Sequence, residues 1–419
     1  MPSRNSCKHR LTGCLVSRAD SDPTQSDRGL FAITKYEFLL INLVSLGYTS
    51  PTFRLATDLW RDPALPFLTR EAVPPRFTDL DRKTDMADMI TSTSPDTHPM
   101  RELRTANHLL GDRAALDAAW ERDGYWFFRN VLDKDAVGRL RAVYLDVLRD
   151  LGVIDPDRDD AAVYNGAPLD NFPIRNDGTP ASDPLLARYP RDEFVAEPSI
   201  RAFFEELFGE EVFWVPNTEY HALPPGTGRP GSRFNFVHCD GPNNKGLPLK
   251  ICWMPLAPID EETGGLAVAE GLHRPRMNDF PRPPQGIGDD VVPTDAWRRA
   301  LYQPGDLVVF SLETPHSGLA NRSDRYFRLS MDIRGMPKSG NIPTVGTIAA
   351  LDACAITVET QTGEQRVFRI DEDSFCRIAR GRLTGMPLTL EEIPRLMKIG
   401  DPVYVASDHG TAMFIRPQH

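Results

Sequence analysis

Apolar periodicity divides the chain into a weakly patterned first quarter, a helical stretch, a series of strands and a separate C-terminal set of strands. Ala114 to Arg122 reads as a short helix that Gly124 stops, and the unbroken Tyr125-Trp126-Phe127-Phe128 reads as a buried strand. Asp133 is placed to cap a helix from Lys134 to about Leu151, with Val137, Leu140, Tyr144, Val147 and Leu151 at its apolar positions. Residues 155–192 are rich in Asp, Pro, Asn and Gly and predict a long loop of the kind that forms lids over sites. Pro198 opens another helix, ended by Gly209, with Ile200, Phe203, Phe204 and Leu207 on its apolar side.

Strands follow. Val212 to Leu223 comes first, closed by Pro224-Pro225-Gly226, then Leu249 to Leu256, Leu266 to Ala269, Asp306 to Phe310 and Phe327 to Ile333. Short strands with Gly, Pro and Asn in the gaps, after a helical opening, predict a mainly β fold with flanking helices. The expected core is a double-stranded β-helix, a jelly roll of the cupin-like kind. In the last seventy or so residues, Ala355 to Thr360 and Gln365 to Ile370 flank a hairpin turn, Leu388 to Met397 reads as a helix, and Pro402 to Val405 and Thr411 to Ile415 are two further strands. These predict a small C-terminal β-barrel. The expected domains are a poorly ordered extension over 1–110, the jelly-roll domain over 111–340 and the barrel over 348–419.

Composition narrows the function classes. Of 419 residues, 41% are hydrophobic and 26% charged, which suits a chain with a sizeable core. The net charge of -11 and the absence of a Lys/Arg-rich run argue against nucleic acid as a partner. The longest apolar run, Phe38 to Tyr48, is shorter than the roughly 20 residues a bilayer needs. No membrane partner is expected. Six scattered cysteines without a CxxC pair fit a cytoplasmic setting.

The candidate chemistry lies in His238-Cys239-Asp240 and in His316. In an extended strand, residues two apart share a face, so His238 and Asp240 project together while Cys239, a small core residue, points away. His316 is expected in a loop after the strand ending at Phe310, at the mouth of a barrel. Two imidazoles and one carboxylate are the set that holds Fe(II) on one face and leaves three positions open. Arg328 and Ser330 share a face by the same period. A guanidinium fork beside a hydroxyl suits a carboxylate such as the distal one of 2-oxoglutarate, although an ion pair between Arg328 and Asp332 is the plainer alternative. Glu219, His221 and His273 are further candidates to line a pocket.

The order of these pieces resembles the phytanoyl-CoA dioxygenase family of Fe(II)/2-oxoglutarate-dependent oxygenases. The resemblance runs from Trp120-Glu121-Arg122-Asp123-Gly124-Tyr125 through Pro224-Pro225-Gly226, His238 to Asp240, Trp253, Gly264-Gly265-Leu266 and Gly305-Asp306 to His316-Ser317-Gly318, Asn321 and Arg328. It covers about half the chain. It implies His238, Asp240 and His316 as iron ligands, Arg328 as the 2-oxoglutarate arginine and Trp253 as an aromatic beside the co-substrate. Where the family has Pro-Gly-Ser-His, this chain has Glu270-Gly271-Leu272-His273, and Arg325 is a second arginine close to Arg328. The implied cofactors are Fe(II), 2-oxoglutarate and O2. The implied activity is hydroxylation of an unactivated C–H in a small organic molecule, with succinate and CO2 as co-products. The alternatives are desaturation or cyclisation on the same fold, or a non-catalytic jelly-roll binding module. The barrel offers a surface for homo-oligomer assembly.

Overall fold

The computed structural model describes residues 99–158, 162–169, 172–174, 184–226, 237–241, 244, 247–273, 292–372, 374–376 and 392–417. The extension expected over 1–110 therefore falls almost wholly outside the described residues. Its last part does not: β1, Arg101–Glu102, pairs with the strand Trp297–Arg299, and Leu103 and Ala106 are buried. The folded unit thus begins at least ten residues earlier than residue 111, held by a two-residue strand too short to show a period.

Three helices form where the pattern predicts. In α1, Arg113–Asp123, the Asp112 carboxylate accepts from the Ala115 N–H, and Gly124 ends the helix in the left-handed region at φ 78°. In α2, Lys134–Asp150, Asp133 accepts from the Ala136 N–H. The predicted lid over 155–192 is only partly loop, because α3, Pro184–Arg188, and α4, Pro190–Ala196, occupy its end. Leu185, Leu186 and Phe194 bury there, an apolar set that the surrounding Asp and Pro masked in the sequence. Next is α5, Pro198–Phe208.

Among the described residues the strands make three sheets. β2 (Tyr125–Phe128), β7 (Leu307–Ser311), β4 (Lys250–Pro255), β9 (Arg328–Pro337) and β3 (Val212–Leu223) form a five-stranded antiparallel sheet in that order. A second sheet has the order β1, β6 (Trp297–Arg299), β5 (Gly265–Ala269), β8 (His316–Leu319). One face of the five-stranded sheet, through Trp126, Phe128, Cys252, Met254, Val309, Leu329, Met331 and Ile333, packs on α1, α2 and α5. The other face, through Tyr125, Phe127, Ile251, Trp253, Val308 and Phe310, shares a core with Leu266 and Val268 of the second sheet. Both faces are covered, so β2, β4 and β7 read as near-continuous apolar runs, whereas β9 alternates polar and apolar residues. Each fully buried Leu or Phe contributes about 1.5–3 kcal/mol.

The C-terminal sheet runs β12 (Gln365–Arg369), β11 (Ala355–Thr360), β10 (Thr344–Leu351), β14 (Pro402–Asp408), β15 (Thr411–Pro417), β13 (Phe375–Cys376), and a β12–β15 pairing closes five of these strands into a ring. β10 was not predicted, and it starts before residue 348. Ile348, Ile356, Val358, Val403, Val405 and Ile415 fill the ring. The alternate residues Tyr404, Ala406 and Phe414 turn outward and join the core that the two larger sheets share. The predicted helix over 388–397 is described only at α6, Ile393–Leu396.

Candidate metal centre

His238 and His316 meet across a two-residue antiparallel bridge. Each N–H donates to the other's carbonyl, at 3.0 and 2.9 Å. Residues opposite each other in such a bridge point to the same side, and their ring centroids are 4.2 Å apart. His316 is therefore the first residue of β8, not part of a loop as its neighbours Pro315 and Gly318 suggested. It lies opposite Val268, which faces the shared core between the sheets. Asp240 follows on the same side as His238, with its Oδ1 3.6 Å from His238 Nε2. One ligand atom from each of His238, Asp240 and His316 lies within 4.8 Å of the other two. Cys239 points away into a small apolar cluster on the outer face of the second sheet.

Neighbours orient each of the three. The His316 Nδ1 lies 3.0 Å from the Thr314 carbonyl, which can only accept, so Nδ1 carries the proton and Nε2 keeps its lone pair for a metal. The Asp240 backbone is held by Asn244, whose side-chain amide donates to the Asp240 carbonyl at 2.9 Å. Arg334 Nη2 donates to Asp240 Oδ2 at 2.9 Å. Burial works to raise the Asp240 pKa, but Arg334, His316 and His238 outweigh it and hold the carboxyl well below the usual range. The donor set is thus anionic and preformed, which fits a divalent cation.

Facing this set, β9 presents Arg328, Ser330, Asp332 and Arg334 on one side, because Leu329, Met331 and Ile333 point to the helices. β3 adds Glu219 and His221, opposite Asp332 and Ser330. The Arg328 guanidinium crosses to the second sheet, where its Nη1 donates to the carbonyls of Gly265 (3.1 Å) and Leu319. This crossing needs the Gly264-Gly265 turn. Both residues have positive φ, and a Cβ on Gly264 would lie 2.3 Å from the Ala320 carbonyl oxygen. The Ser330 Oγ is buried and has no hydrogen-bond partner among the described residues. A buried hydroxyl without a partner costs about 1–3 kcal/mol, which points to a group that is bound here in use.

Other predicted residues take different places. Asp332 pairs with Arg334 Nη1 at 3.1 Å and with His221 Nε2 at 3.1 Å, so the expected alternative of an Arg328–Asp332 pair gives way to this one. Trp253 is buried and its ring meets the edge of Tyr302 at 4.8 Å, which is core packing between the sheets. Burial raises the Glu219 pKa; Arg334 opposes this, Asp332 adds to it, and Arg416 and His221 oppose it. Arg416 lies on β15, opposite Tyr404, so the field of the C-terminal ring reaches this wall. Arg334 and Asp332 were not singled out as site residues. The period of two that selected Arg328 and Ser330 would have found both.

His238, Asp240, His316, Arg328 and Ser330 lie within a stretch, residues 120–330, that matches the family described as phytanoyl-CoA dioxygenase (PhyH). The chain belongs to the phytanoyl-CoA dioxygenase family. Membership makes it a 2-oxoglutarate-dependent dioxygenase with Fe(II) and 2-oxoglutarate as cofactors. Arg334 and the C-terminal ring lie beyond the matched stretch. Among curated proteins, the chain is 30% identical over 255 residues to a 1-deoxypentalenic acid 11-beta-hydroxylase of Streptomyces arenae, covering 56% of this chain and 84% of that protein. To the enzyme of the same name from Streptomyces exfoliatus it is 29% identical over 253 residues, with the same coverage. Among solved structures, EctD from S. alaskensis with bound Fe is 18% identical, with a TM-score of 0.39 over 60% of this chain and 89% of that one. Among the described residues, no helix is long and apolar enough to cross a membrane.

Proposed function

We propose that this dioxygenase hydroxylates an unactivated C–H of a small organic molecule. In the overall balance, substrate, 2-oxoglutarate and O2 become hydroxylated substrate, succinate and CO2. His238, Asp240 and His316 would hold the iron. When bound, iron together with 2-oxoglutarate and O2 supplies the oxidising chemistry. The chain's residues do the rest. Arg328, whose Nη1 is fixed by two carbonyls, and the buried Ser330 hydroxyl offer donors to the distal carboxylate of 2-oxoglutarate. The apolar walls, Phe310 and Val268 among them, keep water away. Trp253 acts from the core, as packing behind the wall.

The observation that carries this reading is the convergence of three ligand atoms within 4.8 Å at the interface of two sheets, with Arg328 spanning the same interface. It also supports reading the two sheets as the halves of a double-stranded β-helix. The 11-beta-hydroxylase relatives favour hydroxylation over desaturation or cyclisation. Residues 99–340 then form the oxygenase domain and 344–417 the ring. The ring turns its outward apolar face onto this chain's own core, which supports a bracing role within one chain rather than assembly between copies. Cys239, Cys252 and Cys376 are buried free thiols, in keeping with a reducing cytoplasm.

The test is an anaerobic titration with Fe(II) and 2-oxoglutarate, followed by the visible charge-transfer band, then a screen of small metabolites for stimulated succinate release. A band lost in His316→Ala supports the reading, and its absence in the wild type sinks it. Product mass separates hydroxylation from desaturation.

A further inference from the structure

We propose that Arg334 is a positioning residue that presents Asp240 to the metal through one oxygen, and that Asp332 and His221 hold Arg334 for that task. This rests on reading His238, Asp240 and His316 as the metal ligands. A free carboxylate can chelate a cation with both oxygens and occupy two positions. Here Oδ2 is committed to Arg334 Nη2 at 2.9 Å, while Oδ1 is the oxygen turned to His238 Nε2 at 3.6 Å. Only one oxygen is then offered, and three positions of an octahedral ion remain for co-substrate and O2.

The guanidinium has a second charge beside it: its Nη1 lies 3.1 Å from Asp332 Oδ1, an ion pair without hydrogen-bond geometry, and the other Asp332 oxygen lies 3.1 Å from His221 Nε2. The chain Asp240–Arg334–Asp332–His221 thus ties the metal side of the chamber to β3. The Arg334 side chain is only 6% exposed. A planar fork can serve two carboxylates at once, which an ammonium on a flexible stem does poorly. The local backbone makes room: β3 bulges between Trp214 and Thr218, around Pro216, opposite Arg334.

If Arg334 only neutralised buried acids, its loss would lower the melting temperature and leave metal coordination alone. Co(II), a stand-in for Fe(II) that tolerates air, separates the two roles, because its visible d–d absorption reports both affinity and coordination number. For Arg334→Gln, Co(II) affinity is expected to fall about 10–100-fold, the usual effect of losing a group that orients a ligand. The absorption intensity should change as the freed oxygen binds. Arg334→Lys should recover part of the affinity. Affinity within about two-fold of wild type and an unchanged spectrum in Arg334→Gln would overturn the proposal. Should that variant not fold, Arg334→Lys decides: wild-type affinity and spectrum overturn it, and a loss of about five-fold or more supports it. Failure of the underlying reading looks different, since then His316→Ala binds Co(II) as well as the wild type does.

Discussion

The rings of Phe310 and His316 stand 4.7 Å apart, one on the five-stranded sheet and the other at the first residue of β8 in the second sheet. An apolar ring thus backs the imidazole proposed as a metal ligand, and the distance between sheets sets where His316 Nε2 lies.

The ligand set gives the first prediction. His316→Ala should lower 2-oxoglutarate turnover, read as succinate release, by at least about 100-fold, because only two ligands remain. The apo melting temperature should change little. The bridge to His238 is made by backbone groups that survive the substitution.

Ser330→Ala removes a buried hydroxyl that has no partner among the described residues. The apo protein should be unchanged or about 1 kcal/mol more stable, while the KM for 2-oxoglutarate rises several-fold. A drop in apo stability without a KM effect would show that Ser330 is structural only. Calorimetry and initial rates check the two halves.

Gly264→Ala should destabilise the fold by at least about 2 kcal/mol, from the positive φ and from the Cβ facing the Ala320 carbonyl at 2.3 Å. The same turn carries the Gly265 carbonyl that receives Arg328. The remaining folded protein should therefore also bind 2-oxoglutarate more weakly. Urea unfolding and a co-substrate titration on the same sample test both effects.

Glu219 makes stability depend on pH. A carboxyl whose pKa is higher folded than unfolded holds its proton more tightly in the native state. Its contribution is complete below the ordinary Glu value of 4.5 and is lost as pH rises through the raised value. Glu219→Gln removes that loss. The melting temperature of the variant, relative to wild type, should climb as pH increases from about 4.5, and parallel curves would remove Glu219 as the cause.

Much of the architecture was legible in the residues. Asp133, Gly124 and Gly209 mark helix ends by local chemistry, and β2, β3 and β11 lie where β-formers are bounded by turn residues. The pairing of His238 with Asp240 on one side follows from strand geometry alone. Other features were not legible. β1 and β6 have two and three residues, too few to show a period, and exist because they pair with each other and with β5. His316 looked like a loop residue, since the bridge that makes it a strand residue comes from a segment far away in sequence. The contact of Trp253 with Tyr302, 4.8 Å between ring centroids, likewise joins residues far apart in sequence.

The amino-acid sequence by itself determined the ligand types, the side of each strand on which they project and the helix caps, because these depend on neighbours within a few positions. Tertiary structure decided that Arg334 holds Asp240, that Arg328 reaches the carbonyls of the opposite sheet, and that the C-terminal ring turns Tyr404 and Phe414 into the shared core. Each of these joins elements whose meeting depends on how two sheets stack, and sheet stacking is set by the summed packing of the whole core rather than by any local run of residues.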